Sequence, residues 1–136
     1  DMIIPDKCSS TKSDKIIALK ERRSSFHFLN PERKKVKCVK VDGCAIIEGD
    51  KCDYLLIDSN NVEHFVELKG RDLKHALAQL EASIRQLGKN TPRYAFIVST
   101  RCPLTGTDIQ NAKKNFKNNF ETTLIMKNLF CEHSHS

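Results

Sequence analysis

Residues 52–84, CDYLLIDSNNVEHFVELKGRDLKHALAQLEASI, decide how this chain folds. Two short apolar runs, residues 54–57 and 62–69, lie on either side of a turn rich in Asp and Asn, which is typical of a β-hairpin. Asp72 can then cap a helix that runs to about Gln86, because the apolar residues that follow it recur at helical spacing and a glycine comes next. The stretch therefore predicts two paired strands followed directly by a helix.

Working outward from this hairpin, the sequence predicts an α/β fold with a mixed sheet covered by helices. The run at residues 94–98 is almost wholly apolar, as expected of a central strand that is buried on both faces. The expected order is helix, three strands in a meander, helix, strand, helix and strand. The elements predicted outside the hairpin and its helix are a helix from Ser13 or Asp14 to about Arg23, strands over residues 36–41, 94–98 and 122–126, and a helix over residues 109–120.

The 136 residues are most simply organised as one domain, residues 1–136, because no repeat and no long linker divides them. The segment 1–13 contains a proline, several serines and two lysines, so it is expected to be a loose arm. The last residues, 131–136, are expected to fray at the terminus.

The cysteines predict buried thiols more than a metal site. No two of them form a CxxC pair, so a zinc finger or ribbon is poorly supported. Free, mostly buried cysteines are the simplest expectation, although Cys38, Cys44 and Cys52 could still converge in space. The six cysteines are at positions 8, 38, 44, 52, 102 and 131.

The localisation expected from the sequence is cytoplasmic or otherwise intracellular, with no membrane partner. The N-terminal segment DMIIPDKCSSTKSD has neither the apolar core nor the cleavage site of a signal peptide. No apolar run approaches the roughly 20 residues of a membrane helix.

The charge favours a polyanionic partner. The chain has 23 Lys and Arg against 17 Asp and Glu, a net charge of +6 and a pI near 9.1. Basic side chains that neutralise phosphates release counterions, so nucleic acid is a natural partner, although many mildly basic proteins have none. Lys113, Lys114 and Lys117 could line a groove for a nucleic-acid backbone, and a merely solvated helix face is an equal alternative.

The chemistry is expected at the end of the hairpin. Strand alternation places Glu67 and Lys69 on one face, side by side. A turn centred on residues 60 and 61 then sets Asp53 opposite Leu68, between these two charges. Asp58 falls some five residues away, roughly 16 Å at strand rise, and is better explained as a turn residue that bonds its own backbone.

This set of groups suits a divalent cation. The oxygens of Asp53 and Glu67, the backbone carbonyl of Leu68 and waters are the hard ligands that Mg²⁺ prefers. Lys69 could orient or deprotonate a water and stabilise charge on a phosphodiester. The alternative is an ordinary cross-strand ion pair, since an ExK triplet alone is frequent on surface helices.

An Asp at the start of one hairpin strand, 14 residues before an ExK that ends the next strand and precedes a helix, resembles the PD-(D/E)xK nuclease superfamily. This superfamily includes restriction endonucleases, Holliday-junction resolvases and RecB-type nucleases, and the likeness covers roughly residues 14–99. It implies a restriction endonuclease-like core of helix, three strands, helix and strand. It also implies Asp53 and Glu67 as metal ligands, Lys69 as the catalytic lysine, and Mg²⁺ as cofactor, with Mn²⁺ as its substitute.

Two further positions follow from the resemblance. Glu21, on the predicted first helix, is the candidate to complete the metal shell. Gln79, ten residues beyond Lys69, matches a catalytic glutamine of RecB-type members. The sequence departs from the pattern at Ser83, where a tyrosine is usual in that subgroup, and at Cys52, which stands where the motif has proline.

The resulting expectation is a Mg²⁺-dependent endonuclease that hydrolyses DNA, with a homodimer as a further expectation because a C2 pair would place two sites on one duplex. Two alternatives stay open. The chain could be a catalytically inactive nucleic-acid-binding or interaction module of the same fold, or a nuclease that acts on RNA.

Overall fold

The structure is a computed structural model that describes residues 4–68, 72–100 and 106–134. A 3-10 turn, Asp6–Cys8, precedes the first strand. The strands and helices are β1 Ser9–Lys12, β2 Ile16–Glu21, β3 Ser24–Leu29, β4 Val36–Lys40, β5 Tyr54–Ile57, β6 Glu63–Leu68, α1 Leu73–Leu87, β7 Arg93–Ser99, α2 Gly106–Phe120, β8 Thr122–Asn128 and β9 Phe130–Ser134.

Two sheets organise these elements. The larger has six strands in the order β1-β4-β5-β6-β7-β8, and the smaller has three in the order β2-β3-β9. In the larger sheet β1, β4, β5 and β6 are antiparallel neighbours, whereas β6, β7 and β8 run parallel. The predicted α/β class and mixed sheet are therefore confirmed.

The hairpin and its helix form where the sequence predicts them. Asp72 caps α1 by accepting a hydrogen bond from the backbone N–H of His75 at 3.3 Å. The observed pairing sets Tyr54 opposite Val66 and Leu55 opposite Phe65, one residue away from the predicted register. The difference arises in the turn, which the strand pattern alone does not specify.

The six-stranded sheet has a hydrophobic core on each face. Phe65 of β6 belongs to the core that also contains Leu80 of α1 and Phe116 of α2. Val66, the next residue, belongs to the core that contains Phe26 of β3. Successive side chains of β6 thus point to opposite faces of the sheet, as predicted. Helices cover one face, which was predicted, and the small sheet covers the other.

The predicted first helix is wrong, because residues 16–21 form β2. Ile17 and Leu19 are buried while Ile16, Ala18 and Lys20 are exposed, so the burial follows the period of two of a strand. Arg22 and Arg23 form a turn that leads into β3, and β3 pairs with β2 in antiparallel orientation. Pairing with a neighbour outweighed the capping signal at Ser13 and Asp14.

The expected loose termini are also wrong within the described residues. Strand β1 pairs with β4, and Cys8 just before it is buried. Strand β9 pairs in parallel with β3 and buries Cys131. Each segment is short and mostly polar. It forms a strand because a strand from elsewhere in the chain pairs with it through backbone hydrogen bonds.

The expectation of free thiols fails for two cysteines. Cys8 and Cys44 form a disulfide across a sequence separation of 36 residues. Cys38, Cys52 and Cys131 are free and buried, as predicted. Cys102 lies outside the described residues. Sequence spacing could not identify the bonded pair, because the docking of the N-terminal segment brings Cys8 to Cys44.

No helix in the described part of the chain is long and apolar enough to span a membrane.

Candidate functional site

The hairpin places two carboxylates at the edge of the sheet where β6 ends. The backbone N–H of Asp53, the residue before β5, donates to the carbonyl of Val66 at 3.1 Å. The Asp53 side chain then accepts a hydrogen bond at Oδ2 from the backbone N–H of Leu68 at 2.7 Å. Asp53 and Glu67 are each only 5% exposed, so both carboxylates are held largely out of water.

The hydrogen bonds of Asp53 bring it close to Glu67 in the structure. Asp53 is bonded through its backbone to Val66 and through its side chain to Leu68, the residues on either side of Glu67. Two carboxylates brought together in this way provide oxygens that a divalent cation can bind.

Lys69, the predicted catalytic lysine, lies outside the described residues, as do Gly70 and Arg71. Its predicted role therefore stays a prediction. Lys69 directly follows Leu68 in the chain, and the backbone N–H of Leu68 donates a hydrogen bond to Asp53.

Glu21 is at the end of β2 and not on a helix. Its Oε1 accepts a hydrogen bond from the Tyr54 hydroxyl at 3.4 Å. Burial raises the pKa of Tyr54, and the negative charges of Glu21 and Asp53 raise it further. Strand alternation directs Tyr54 and Leu55 to opposite faces, and Tyr54 packs in the core that faces the small sheet. Glu21 thus approaches the hairpin from that sheet, and its predicted role as a metal ligand stays a prediction.

Ser83 is a residue of this region that the sequence did not identify as a contact. Its Oγ accepts a hydrogen bond from the backbone N–H of Cys52 at 2.7 Å and donates to the carbonyl of Gln79 at 2.9 Å. The helix is thereby tied to the residue that precedes Asp53. A serine on the apolar face of α1, three residues after Leu80, was the available signal.

Gln79, predicted to be catalytic, is half-buried in the second turn of α1. Gln79 is linked to Cys52 through Ser83. The backbone carbonyl of Gln79 accepts a hydrogen bond from the Ser83 hydroxyl, which itself accepts one from the backbone N–H of Cys52. Burial raises the pKa of the Cys52 thiol to about 12, with further contributions from the negative charges of Glu67 and Asp53. Cys52 is therefore a neutral, packed side chain beside the carboxylates.

Asp58 is the turn residue that the sequence predicts. Its Oδ1 accepts hydrogen bonds from the backbone N–H groups of Asn60 and Val62 at 2.9 and 3.0 Å. Its Oδ2 lies 3.2 Å from Nε2 of buried His64. It is thus occupied in closing the turn at the other end of the hairpin.

The donor set at the hairpin end fits a hard divalent cation. Asp53 and Glu67 supply carboxylate oxygens and Leu68 a backbone carbonyl, and Mg²⁺ is commonly bound by one or two carboxylates while it keeps several waters. Among residues 4–68, 72–100 and 106–134, no three side chains of His, Cys, Asp or Glu are grouped so that they could hold a metal ion.

We compared the chain with protein-family models, with curated proteins and with solved structures, and none of the three comparisons gave a match.

Proposed function

We propose that this protein is a Mg²⁺-dependent endonuclease that hydrolyses phosphodiester bonds of DNA and has a restriction endonuclease-like core. The observation that supports this most directly is the juxtaposition of Asp53 and Glu67. The two buried carboxylates lie at the end of β6, where Asp53 is fixed by the backbone N–H of Leu68. The antiparallel run β4-β5-β6, followed by α1 and the parallel strand β7, agrees with the proposed core after its first helix, whose place in the chain is taken by strand β2.

In this proposal each residue has one role. Asp53, Glu67 and the carbonyl of Leu68 bind Mg²⁺, which supplies Lewis-acid stabilisation of the charge that develops on the phosphodiester. Lys69 orients or deprotonates the attacking water, whose oxygen bonds to phosphorus as the bond to the leaving oxygen breaks. The leaving oxygen takes a proton from solvent. The net charge of +6 favours a polyanionic substrate.

The test is a cleavage assay with substrates that separate the alternatives. Supercoiled, linear, branched and single-stranded DNA, and RNA, are incubated with Mg²⁺ or Mn²⁺ and the wild-type protein. We expect DNA cleavage that falls by at least about 100-fold in Glu67→Gln, which removes the charge of a proposed metal ligand, and in Lys69→Ala, which removes the charge that acts on the reacting water and phosphate. Glu48→Gln, which removes an exposed carboxylate before β5, is the control and should cleave as the wild type does.

Equal cleavage by wild type and Lys69→Ala would refute the assignment. Cleavage of RNA alone would move the substrate from DNA to RNA and leave the site in place. DNA binding without cleavage on any substrate would support the inactive binding module instead.

A second measurement tests the metal site without relying on activity. Titration calorimetry with Mn²⁺ should detect a site in the wild type that is absent from Asp53→Asn and present in Glu48→Gln. Asparagine keeps the shape of Asp53 and removes the charge that a divalent cation requires. An unchanged Mn²⁺ isotherm in Asp53→Asn would exclude this carboxylate as a ligand.

A further inference from the structure

The outer side of α2 carries a shallow basic groove that lies between exposed side chains of this one helix and is open to solvent. It has a volume of about 460 Å³ and is lined by Gln110, Asn111, Lys113, Lys114, Lys117 and Asn118. We propose that this groove binds the sugar–phosphate backbone of a nucleic acid, without reading its sequence. The identity of the polyanion rests on the proposed function, whereas the polyanion-binding surface itself does not.

The helix turns these side chains away from the core. Ala112 and Phe116 bury one face of α2 against the six-stranded sheet. Helical spacing then sets Lys114 on the opposite, exposed side, with Lys113 and Lys117 four residues apart along one flank. Like charges at this spacing destabilise a helix. A partner that supplies negative charge would offset this cost.

The chemistry of the groove suits phosphate. Its described lining consists of three ammonium groups and three amides, with no carboxylate among them. On the flank of α2 that faces α1, Glu81 accepts a hydrogen bond from Asn115 at 2.8 Å. Lysines neutralise backbone phosphates and release counterions, while amides bond to phosphate and sugar oxygens.

The direction of α2 connects the groove to the candidate site. The Phe120 carbonyl accepts a hydrogen bond from Arg93 Nη1 at 2.8 Å, so α2 ends beside the first residue of β7. The helix therefore begins toward the opposite edge, where β6 and β7 end with Leu68 paired to Val98. Fifteen residues span about 22 Å. A strand lying along the groove would extend toward the edge that holds Asp53 and Glu67.

A structural explanation competes with this proposal. Lysines beside the edge strand β8 could simply be solvated, or could discourage another chain from pairing with that edge. In that case their removal would leave nucleic-acid binding unchanged.

The experiment compares two triple variants in a binding assay without divalent metal. Anisotropy of a labelled DNA duplex is measured in EDTA over a range of NaCl concentrations. In K113Q/K114Q/K117Q we expect affinity at low salt to fall at least tenfold. The slope of log K against log [NaCl] should become shallower by about 2 to 3, since each phosphate contact contributes about 0.7–0.9. The control variant K12Q/K37Q/K40Q removes the same charge from exposed positions on β1 and β4 and should keep most of the slope.

An unchanged slope in the α2 variant, an equal loss in both variants, or no binding by the wild type would each overturn the proposal. Circular dichroism checks that α2 stays folded, and the single variant Lys114→Gln, at an exposed position, should still lower the slope by about one. Because the assay contains no divalent metal, a wild type that binds through the groove but never cleaves DNA would refute the nuclease and not the groove.

Discussion

At the scale of single residues, two aspartates of one hairpin serve different purposes. Asp58 accepts two backbone hydrogen bonds and contacts His64, all within six residues of itself in sequence. Asp53 accepts from the backbone N–H of Leu68, 15 residues away and next to the buried Glu67. These bonds of Asp58 are local, whereas Asp53 is bonded to a distant part of the chain beside a second carboxylate.

Asp58→Asn should destabilise the protein in a pH-dependent manner. Burial by itself would raise the pKa of Asp58, but the hydrogen bonds from His64, Val62 and Asn60 lower it overall below its usual value of 3.8. A carboxylate with a depressed folded-state pKa contributes stability above its unfolded pKa and loses it as the pH falls through the folded value. We expect a loss of about 1–3 kcal/mol at pH 7, which shrinks below about pH 4.

Urea unfolding of wild type and Asp58→Asn at pH 7 and pH 3 measures this difference. Asp50→Asn, in an exposed bend, is the control and should change stability little. A difference between wild type and Asp58→Asn that stays constant down to pH 3 would contradict the role given to the ionised side chain.

At the scale of elements, a buried ion pair joins β6, β7 and both helices. Arg93 Nε donates to Glu63 Oε1 at 3.1 Å, and both side chains are almost fully buried. Glu63 Oε2 accepts from the backbone N–H groups of Lys89 and Asn90, just after α1. Arg93 also donates to the carbonyl of Phe120 at the end of α2. The pair therefore fixes the end of the sheet opposite the candidate site.

Arg93→Met should cost about 3–5 kcal/mol of unfolding free energy, because it leaves Glu63 buried without its charged partner. Denaturant unfolding measures the change. The exposed pair of Lys34 and Glu32, 4.0 Å apart, provides the comparison, since Glu32→Gln should change stability by less than about 1 kcal/mol. A loss in Arg93→Met no larger than in Glu32→Gln would show that the buried pair is not required.

At the scale of the whole molecule, segments distant in sequence close the fold. The N-terminal strand β1 completes one edge of the large sheet, and the disulfide Cys8–Cys44 secures it. The C-terminal strand β9 adds to the small sheet that covers one core. Neither end of the described chain is an appendage.

Replacement of both bonded cysteines, Cys8→Ser with Cys44→Ser, should destabilise the protein by about 3–4 kcal/mol, as expected when a loop of 36 residues is no longer closed in the unfolded chain. Thermal unfolding with and without reductant measures the effect. Reductant should lower the midpoint of the wild type and leave that of the double variant unchanged. A wild type that is insensitive to reductant would show that the bond does not stabilise the fold.

The hairpin, α1 and the buried strand β7 were predictable because each carries a strong local pattern. Two short apolar runs around a turn rich in Asp and Asn mark the hairpin, a cap and helical spacing mark α1, and an unbroken apolar run marks β7. Strand β2 was predicted to be a helix, since six residues with two adjacent isoleucines suit either period until a pairing partner is known. The register was missed by one residue because the turn sets it.

The sequence by itself determined the α/β class, the hairpin that brings Asp53 near Glu67, and the local role of Asp58, because these depend on contacts between residues close in the chain. Only the tertiary structure decided that the Asp53 side chain accepts from the backbone N–H of Leu68, that Ser83 secures Cys52, and that Cys8 bonds Cys44. The small sheet and the paired strands at both ends of the described chain were likewise decided only by the tertiary structure. Each depends on a partner that sequence spacing does not specify, since distant segments adopt these positions only when folding buries the two cores together.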